Sequence, residues 1–114
     1  MTQAFRQGDV VLLDFDPQAG HEQKGRRPAV VVSADLFQRR VGLAVVCPIT
    51  TTDRGFPLHV PLDERTRTAG FVMCEQLKSL DLASRRATRL ERLPPDVLEE
   101  VVDIVAGFFA IPEG

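Results

Sequence analysis

The feature that most constrains the fold of this chain is its rhythm. Short apolar, β-branched runs are broken by Gly, Pro or Asp-Pro at a spacing of roughly 8–12 residues, the signature of a small barrel or sandwich. Val10 to Phe15 is apolar at nearly every position and stops at Asp16-Pro17. Pro28 to Ser33 contains Ala-Val-Val-Val, dense enough in β-branched residues for a buried strand. Val41 to Ile49 is a third strand, where Pro48 predicts an edge or a bulge. Leu58 to Leu62 is a short fourth, bounded by Pro57 and Pro61, and Gly70 to Leu77 is a fifth. Leu80 to Leu90 reads as a bent pairing segment ending in a short strand, Ala87 to Leu90. Ser33 to Phe37 reads as a single helical turn capped by Ser33.

The last element is a helix. Pro94-Pro95 opens it, proline being well tolerated at the first helical position. Asp96, Glu99 and Glu100 follow in the first turns, where carboxylates suit the helix dipole. Val97, Val101, Val105 and Phe108 repeat on one stripe, which predicts packing onto the barrel. Phe109 and Ile111 lie beyond it and are candidates for a dimer contact.

With 114 residues and 44% apolar content, the chain is expected to be one domain, 1–114, with a real core. No run approaches the roughly 20 apolar residues of a membrane span, and the N-terminus lacks a signal-type run, so a cytoplasmic protein is expected. Cys47 and Cys74 each sit in an apolar run and read as buried free thiols rather than a disulfide. Two cysteines and two histidines without ligand spacing predict no metal and no cofactor.

The net charge of -2 hides an asymmetry. Residues 95 to 114 hold five acids and no Lys or Arg, whereas residues 78 to 92 hold Lys78, Arg85, Arg86, Arg89 and Arg92 against Asp81 and Glu91. Such a chain can present a basic face to a polyanion. Twelve of its fourteen cations are arginine, which favours bidentate recognition of phosphate or carboxylate. Arg39, Arg40, Arg65 and Arg67 read as scattered surface ion pairs instead.

The densest chemistry lies between Gly20 and Ser33. His21, Glu22, Gln23, Lys24, Arg26 and Arg27 fall within seven positions, directly before Pro28 and an apolar strand. Reactive groups on a loop held by a rigid strand are a common way to build a site, although a solvated hairpin tip would look the same locally.

Several pieces together resemble one family. They are Gly8-Asp-Val-Val11 with Asp14-Phe-Asp-Pro17; Gly20-His-Glu-Gln-Lys-Gly-Arg-Arg-Pro-Ala-Val-Val-Val-Ser33; Pro48-Ile-Thr-Thr51; Gly55-Phe-Pro57; Gly70; and Glu75-Gln-Leu-Lys-Ser79. In this order, over nearly the whole chain, they resemble the MazF/PemK toxin ribonucleases of toxin–antitoxin pairs. The resemblance implies a mainly β fold with α: a small, curved, SH3-like antiparallel β-barrel with short helices and a C-terminal helix. It also implies a homodimer and metal-independent cleavage of single-stranded RNA, often mRNA, at a short sequence, which stops translation and growth. The implied partner is a cognate MazE-like antitoxin whose acidic tail occupies the RNA groove.

In metal-free cleavage the ribose 2′-OH attacks the adjacent phosphorus and the 5′-oxygen leaves, giving a 2′,3′-cyclic phosphate and a 5′-OH. Charge builds on the non-bridging oxygens, where a fixed guanidinium helps most. The resemblance assigns that role to Arg27, whose backbone Pro28 restricts to an extended form, and assigns the active-site threonine to Thr50. Glu22 is the candidate general base, provided its pKa is raised, with His21 as the alternative. Gln23, Lys24, Arg26, Thr51, Arg54, Phe56, Gln76 and Lys78 are candidate RNA contacts. The chain has no Trp or Tyr, so Phe56 is the best-placed stacking surface, while Phe15 and Phe37 read as core. His59 reads as a strand-surface residue, and Glu75 as an RNA-side group or an acceptor for an arginine. A CcdB-like gyrase poison and a catalytically silent binding barrel are the alternatives. The gyrase poison has no need of Arg27 and Thr50 in these contexts.

Overall fold

The computed structural model describes residues 4–15 and 25–113. Among them, seven strands form one antiparallel system in the order β4 (His59–Pro61), β5 (Phe71–Met73), β3 (Ala44–Thr50), β2 (Arg26–Val31), β1 (Asp9–Asp14) and β7 (Thr88–Arg92), with β6 (Lys78–Leu80) paired to β3 off that path. β1 (Asp9–Asp14) pairs with β2 (Arg26–Val31), Val10 standing opposite Val30 and Asp14 opposite Arg26. β2 pairs with β3 (Ala44–Thr50) through Ala29↔Pro48, Val30↔Cys47 and Val31↔Val46.

β3 is the hinge of the barrel. Its first half pairs with β6 (Lys78–Leu80) and its last two residues with β5 (Phe71–Met73), which in turn pairs with β4 (His59–Pro61). Pro48 is fully buried in the middle of this arrangement, not at an edge or a bulge. The reason is directional. The Val45 carbonyl accepts from Val32 on the β2 side, so alternation turns the Pro48 nitrogen to the other side. There the partner changes from β6, which ends opposite Val46, to β5, which begins opposite Ile49. The missing N–H falls in the gap.

Both faces of the sheet are buried, which explains why the β1 run is continuously apolar rather than alternating. Val10, Val30, Cys47, Ile49, Val60, Val72 and Cys74 face one core, closed by Val97 and Val101 of the terminal helix α2 (Pro95–Gly107). Val11, Leu13, Phe15, Ala29, Val31, Ala44, Val46, Leu80 and Leu82 form the other. Burying a Val or Leu side chain is worth about 1.5–3 kcal/mol, so these two clusters supply most of the drive to fold.

Other boundaries differ from the sequence reading. The short helix α1 (Asp35–Val41) follows Ala34, and Ser33 does not cap it: its Oγ accepts from the Val45 N–H at 2.9 Å, pinning β2 to β3. α1 absorbs Val41, ends at a left-handed Gly42, and so delays β3 to Ala44. α1 buries no residue, and Phe37 is exposed rather than core. The fifth strand stops at Met73 and passes through a 3-10 helix (Cys74–Gln76) into β6. Residues 81–87 are turn rather than pairing segment. β7 runs Thr88–Arg92 with a bulge that skips Leu90 between Glu91 and Arg89, leaving Leu90 exposed. Phe108, Phe109 and Ile111 are exposed after α2.

Candidate active site

The second core ends in a polar rim, and the register of the strands says what stands there. Arg27 lies directly opposite Leu13, a residue of that core, so it points to the same face. It also lies two residues before Ala29, while Thr50 lies two residues past Pro48, the partner of Ala29. Period-two alternation therefore puts Arg27 and Thr50 on one face at one end of adjacent strands. Phe15 closes β1 at the same end, and Lys78, at the start of β6, places its ammonium 5.1 Å from the centre of the Phe15 ring.

Arg27 is exposed and has no partner among the described residues, which leaves its guanidinium available to an anion. Thr50 accepts the Thr52 N–H at its Oγ1 (3.2 Å), so its hydroxyl proton remains to be donated. The backbone of Thr50 is held from behind by Gly70. With φ of 128°, Gly70 adopts a conformation that side chains avoid, and a Cβ there would collide with the Thr50 carbonyl oxygen. Gly70 is thus a positioning residue that sequence reading could mark as a motif glycine without seeing what it touches.

Arg26, next in sequence, is in a different situation. Its guanidinium donates to Asp14 Oδ1 (3.0 Å) and to the carbonyls of Leu12 and Arg86. Those donors are committed, and Arg26 holds structure where the sequence reading made it an RNA contact. Three of the four arginines in the basic 85–92 segment behave likewise, while Arg89 is exposed. Arg85 donates to the carbonyls of Asp14 and Phe15, Arg86 pairs with Asp14, and Arg92 pairs with the fully buried Asp9 at 2.8 Å. Of the surface arginines, Arg65 forks between Asp63 and Asp96.

The remaining candidates divide by position. Thr51, Arg54 and Phe56 are exposed on the loop after β3, and Gln76 and Lys78 are exposed around the start of β6. His21, Glu22, Gln23 and Lys24 lie outside the described residues. His59 is not on the surface. Its side chain is 4% exposed and its Nε2 lies 3.0 Å from Glu75 Oε2, with the Phe56 ring edge-on 5.1 Å away. Glu75 holds this histidine instead of an arginine. Burial pushes the Glu75 carboxyl up, but hydrogen bonds from His59 and the backbone outweigh it and leave the carboxyl below its ordinary range.

Both cysteines are buried and free. Desolvation, reinforced by nearby charge, pushes Cys47 up to about 12 and Cys74 up to about 11, so neither is a nucleophile at neutral pH. Among the described residues no group of His, Cys, Asp and Glu could hold a metal, and no helix is long and apolar enough to cross a membrane.

The small antiparallel barrel thus carries an exposed arginine and a hydroxyl on one rim. Residues 6–109 match the PemK-like, MazF-like toxin of type II toxin–antitoxin systems, and the chain belongs to that family. It is 39% identical over 102 residues to Endoribonuclease PemK of Escherichia coli, covering 86% of this chain and 77% of the relative. It is 37% identical over 92 residues to Endoribonuclease toxin MazF of Escherichia coli K12, covering 81% of this chain and 82% of the relative. The crystal structure of MazF from Deinococcus radiodurans superposes with a TM-score of 0.82 at 40% identity, covering 94% of this chain and 97% of that one. MazF in the MazE–MazF structure from the same organism gives 0.80 at 34% identity, covering 94% and 96%.

Proposed function

We infer that this chain is the toxin of a type II toxin–antitoxin pair and acts as an endoribonuclease on mRNA, with a MazE-like antitoxin as its partner. Family membership over residues 6–109 carries this reading, and the outward Arg27 and Thr50 on one rim give it a mechanism. RNA lies across the rim as a single strand. Arg27 donates to the non-bridging oxygens of the scissile phosphate, where charge grows as the 2′-OH attacks. Thr50 donates its hydroxyl proton to the same phosphate or orients the 2′-OH. Glu22 takes the 2′-OH proton, with His21 as the alternative base. The step forms the P–O2′ bond and breaks the P–O5′ bond without a metal; the departing 5′-oxygen takes a proton from solvent water, so one proton leaves the 2′-OH and one enters the 5′-OH, giving a 2′,3′-cyclic phosphate and a 5′-OH. Thr51, Arg54, Phe56, Gln76 and Lys78 line the path of the strand, and Gln23 and Lys24 are further proposed RNA contacts. Arg26 is left out of this set. The protein works as a homodimer, through Phe109 and Ile111 among other exposed apolar residues, in the cytoplasm where mRNA is found.

The test is the chemistry of the ends. In EDTA, purified protein should cut RNA to fragments whose 5′ ends accept a labelled phosphate directly from polynucleotide kinase. Cleavage that requires added Mg²⁺ and leaves 5′-phosphates would overturn the mechanism. An acidic antitoxin tail should compete with RNA for the rim, and unaltered RNA affinity at low salt under saturating peptide would exclude a shared groove.

A further inference from the structure

Asp14, at the end of β1, is surrounded by more structure than a strand terminus requires. It accepts Arg86 Nε at 2.7 Å and Arg86 Nη2 at 3.1 Å, and Arg26 Nη1 at 3.0 Å. Arg26 returns to the Arg86 carbonyl through both terminal nitrogens at 3.3 Å, so the three residues form a closed ring. The backbone joins in, because the Asp14 N–H donates to the Arg85 carbonyl at 2.8 Å and Arg85 donates to the carbonyls of Asp14 and Phe15. Arg86 is the one non-glycine residue with positive φ among the described residues, at 53°. A side chain in that region is disfavoured and persists where surrounding contacts hold it. The fork onto Asp14 is one such holding contact. Paired guanidinium groups also carry the Asp14 carboxyl below its ordinary range, against the opposing effect of burial.

The location matters more than the ring itself. Arg26 is covalently next to Arg27, and the two side chains leave β2 on opposite faces. Pro28 restricts the backbone of Arg27 from one side. On the other side, the strand is anchored by the Phe15 N–H donating to the Gly25 carbonyl at 2.8 Å and by the Arg26 guanidinium in the ring. A guanidinium that stabilises a transition state helps only if its origin is fixed within a fraction of an ångström.

We propose that Asp14, Arg26 and Arg86 form a clasp that positions Arg27 for phosphate contact, Arg86 being a positioning residue supplied by the 81–87 turn. The clasp fixes the start of β2 from the face opposite the RNA and touches no substrate. This inference rests on the endoribonuclease reading of the rim.

The experiment uses the full chain and an RNA oligonucleotide spanning a mapped cleavage site. Arg86→Gly suits the left-handed backbone, so it folds, while it removes the fork onto Asp14. The expected result is a 5- to 30-fold lower kcat with KM changed less than threefold and a melting temperature close to that of the parent. Asp14→Asn should show the same split, and Arg86→Lys, which keeps the charge, should recover part of kcat. Arg65→Ala, which breaks the ion pairs to Asp63 and Asp96 and leaves the clasp intact, should leave kcat unchanged. Wild-type kcat in Arg86→Gly, or a rise in KM alone, overturns the clasp. Arg27→Ala separates the two levels of the argument. If it cleaves normally, the rim reading fails; if it is impaired while Arg86→Gly is not, only the clasp fails.

Discussion

The start of β2 and the 85–92 segment are both rich in arginine, yet the fold uses them in different ways. In the 85–92 segment, Arg85, Arg86 and Arg92 reach back to Asp14, Phe15 and Asp9 and fasten the ends of the sheet. At the start of β2, one arginine is fastened and its neighbour, without a partner among the described residues, stands on the rim beside Thr50. The difference lies in strand alternation and available acceptors. Arg26 faces Asp14, whereas Arg27 faces the end of a core in which none of the described residues offers it a carboxylate. A basic segment is therefore not in itself a polyanion site. What matters is which guanidinium groups are left without a protein acceptor.

The largest expected effect comes from removing the free arginine. Arg27→Ala should lower single-turnover cleavage by about 10²–10³-fold, the size seen for losing one transition-state donor. Chemical denaturation should show its stability within about 0.5 kcal/mol of the parent, as for other exposed substitutions. Arg92→Ala should do the reverse. It strands the Asp9 carboxylate, which is fully buried and, among the described residues, otherwise keeps the Arg6 N–H at 2.9 Å. Breaking such a pair from one side costs about 3 kcal/mol, readable as a lower urea midpoint.

Much of this was legible in the sequence. The apolar runs marked β1, β2 and the terminal helix, because their burial is decided by local composition. The family motif pointed to Arg27 and Thr50, and the strand pairing puts them at one end of one face. What the sequence hid were contacts between distant segments. Nothing local says that Asp14 meets Arg86 across 72 positions, that His59 turns inward onto Glu75, or that Pro48 sits where β3 changes partners. Ser33 looked like a helix cap because serine before a short helix usually is one. Here its hydroxyl finds a strand N–H instead.

Two smaller effects sharpen the contrast between fastening groups and free ones. Gly70→Ala should push on the Thr50 carbonyl and strain a backbone at φ 128°. A loss of about 1–3 kcal/mol is expected from that strain, with a drop in kcat that exceeds any change in RNA affinity. Equal loss of affinity and rate would detach Gly70 from Thr50. The smallest effect is acid sensitivity. Asp14, Asp63, Asp96, Glu75 and Glu91 all titrate below their ordinary values in the folded chain. Their stabilisation is thus complete above the unfolded carboxyl range, near about 4, and is lost as pH falls through the depressed folded values. The melting temperature should hold between pH 7 and 5 and decline below pH 4. A melting temperature that rises on acidification would contradict the assignment of these carboxylates as fastening groups.

The most direct test measures rate and stability on the same preparations of Arg27→Ala and Arg92→Ala, at a temperature where both are folded. The two effects are expected to cross. Arg27→Ala keeps its unfolding midpoint and loses discrete, metal-independent RNA cleavage, while Arg92→Ala loses stability and cuts at the parent rate. An Arg27→Ala protein that still produces the parent set of 5′-hydroxyl ends at the parent rate would contradict the claim that the free guanidinium on the rim performs the chemistry.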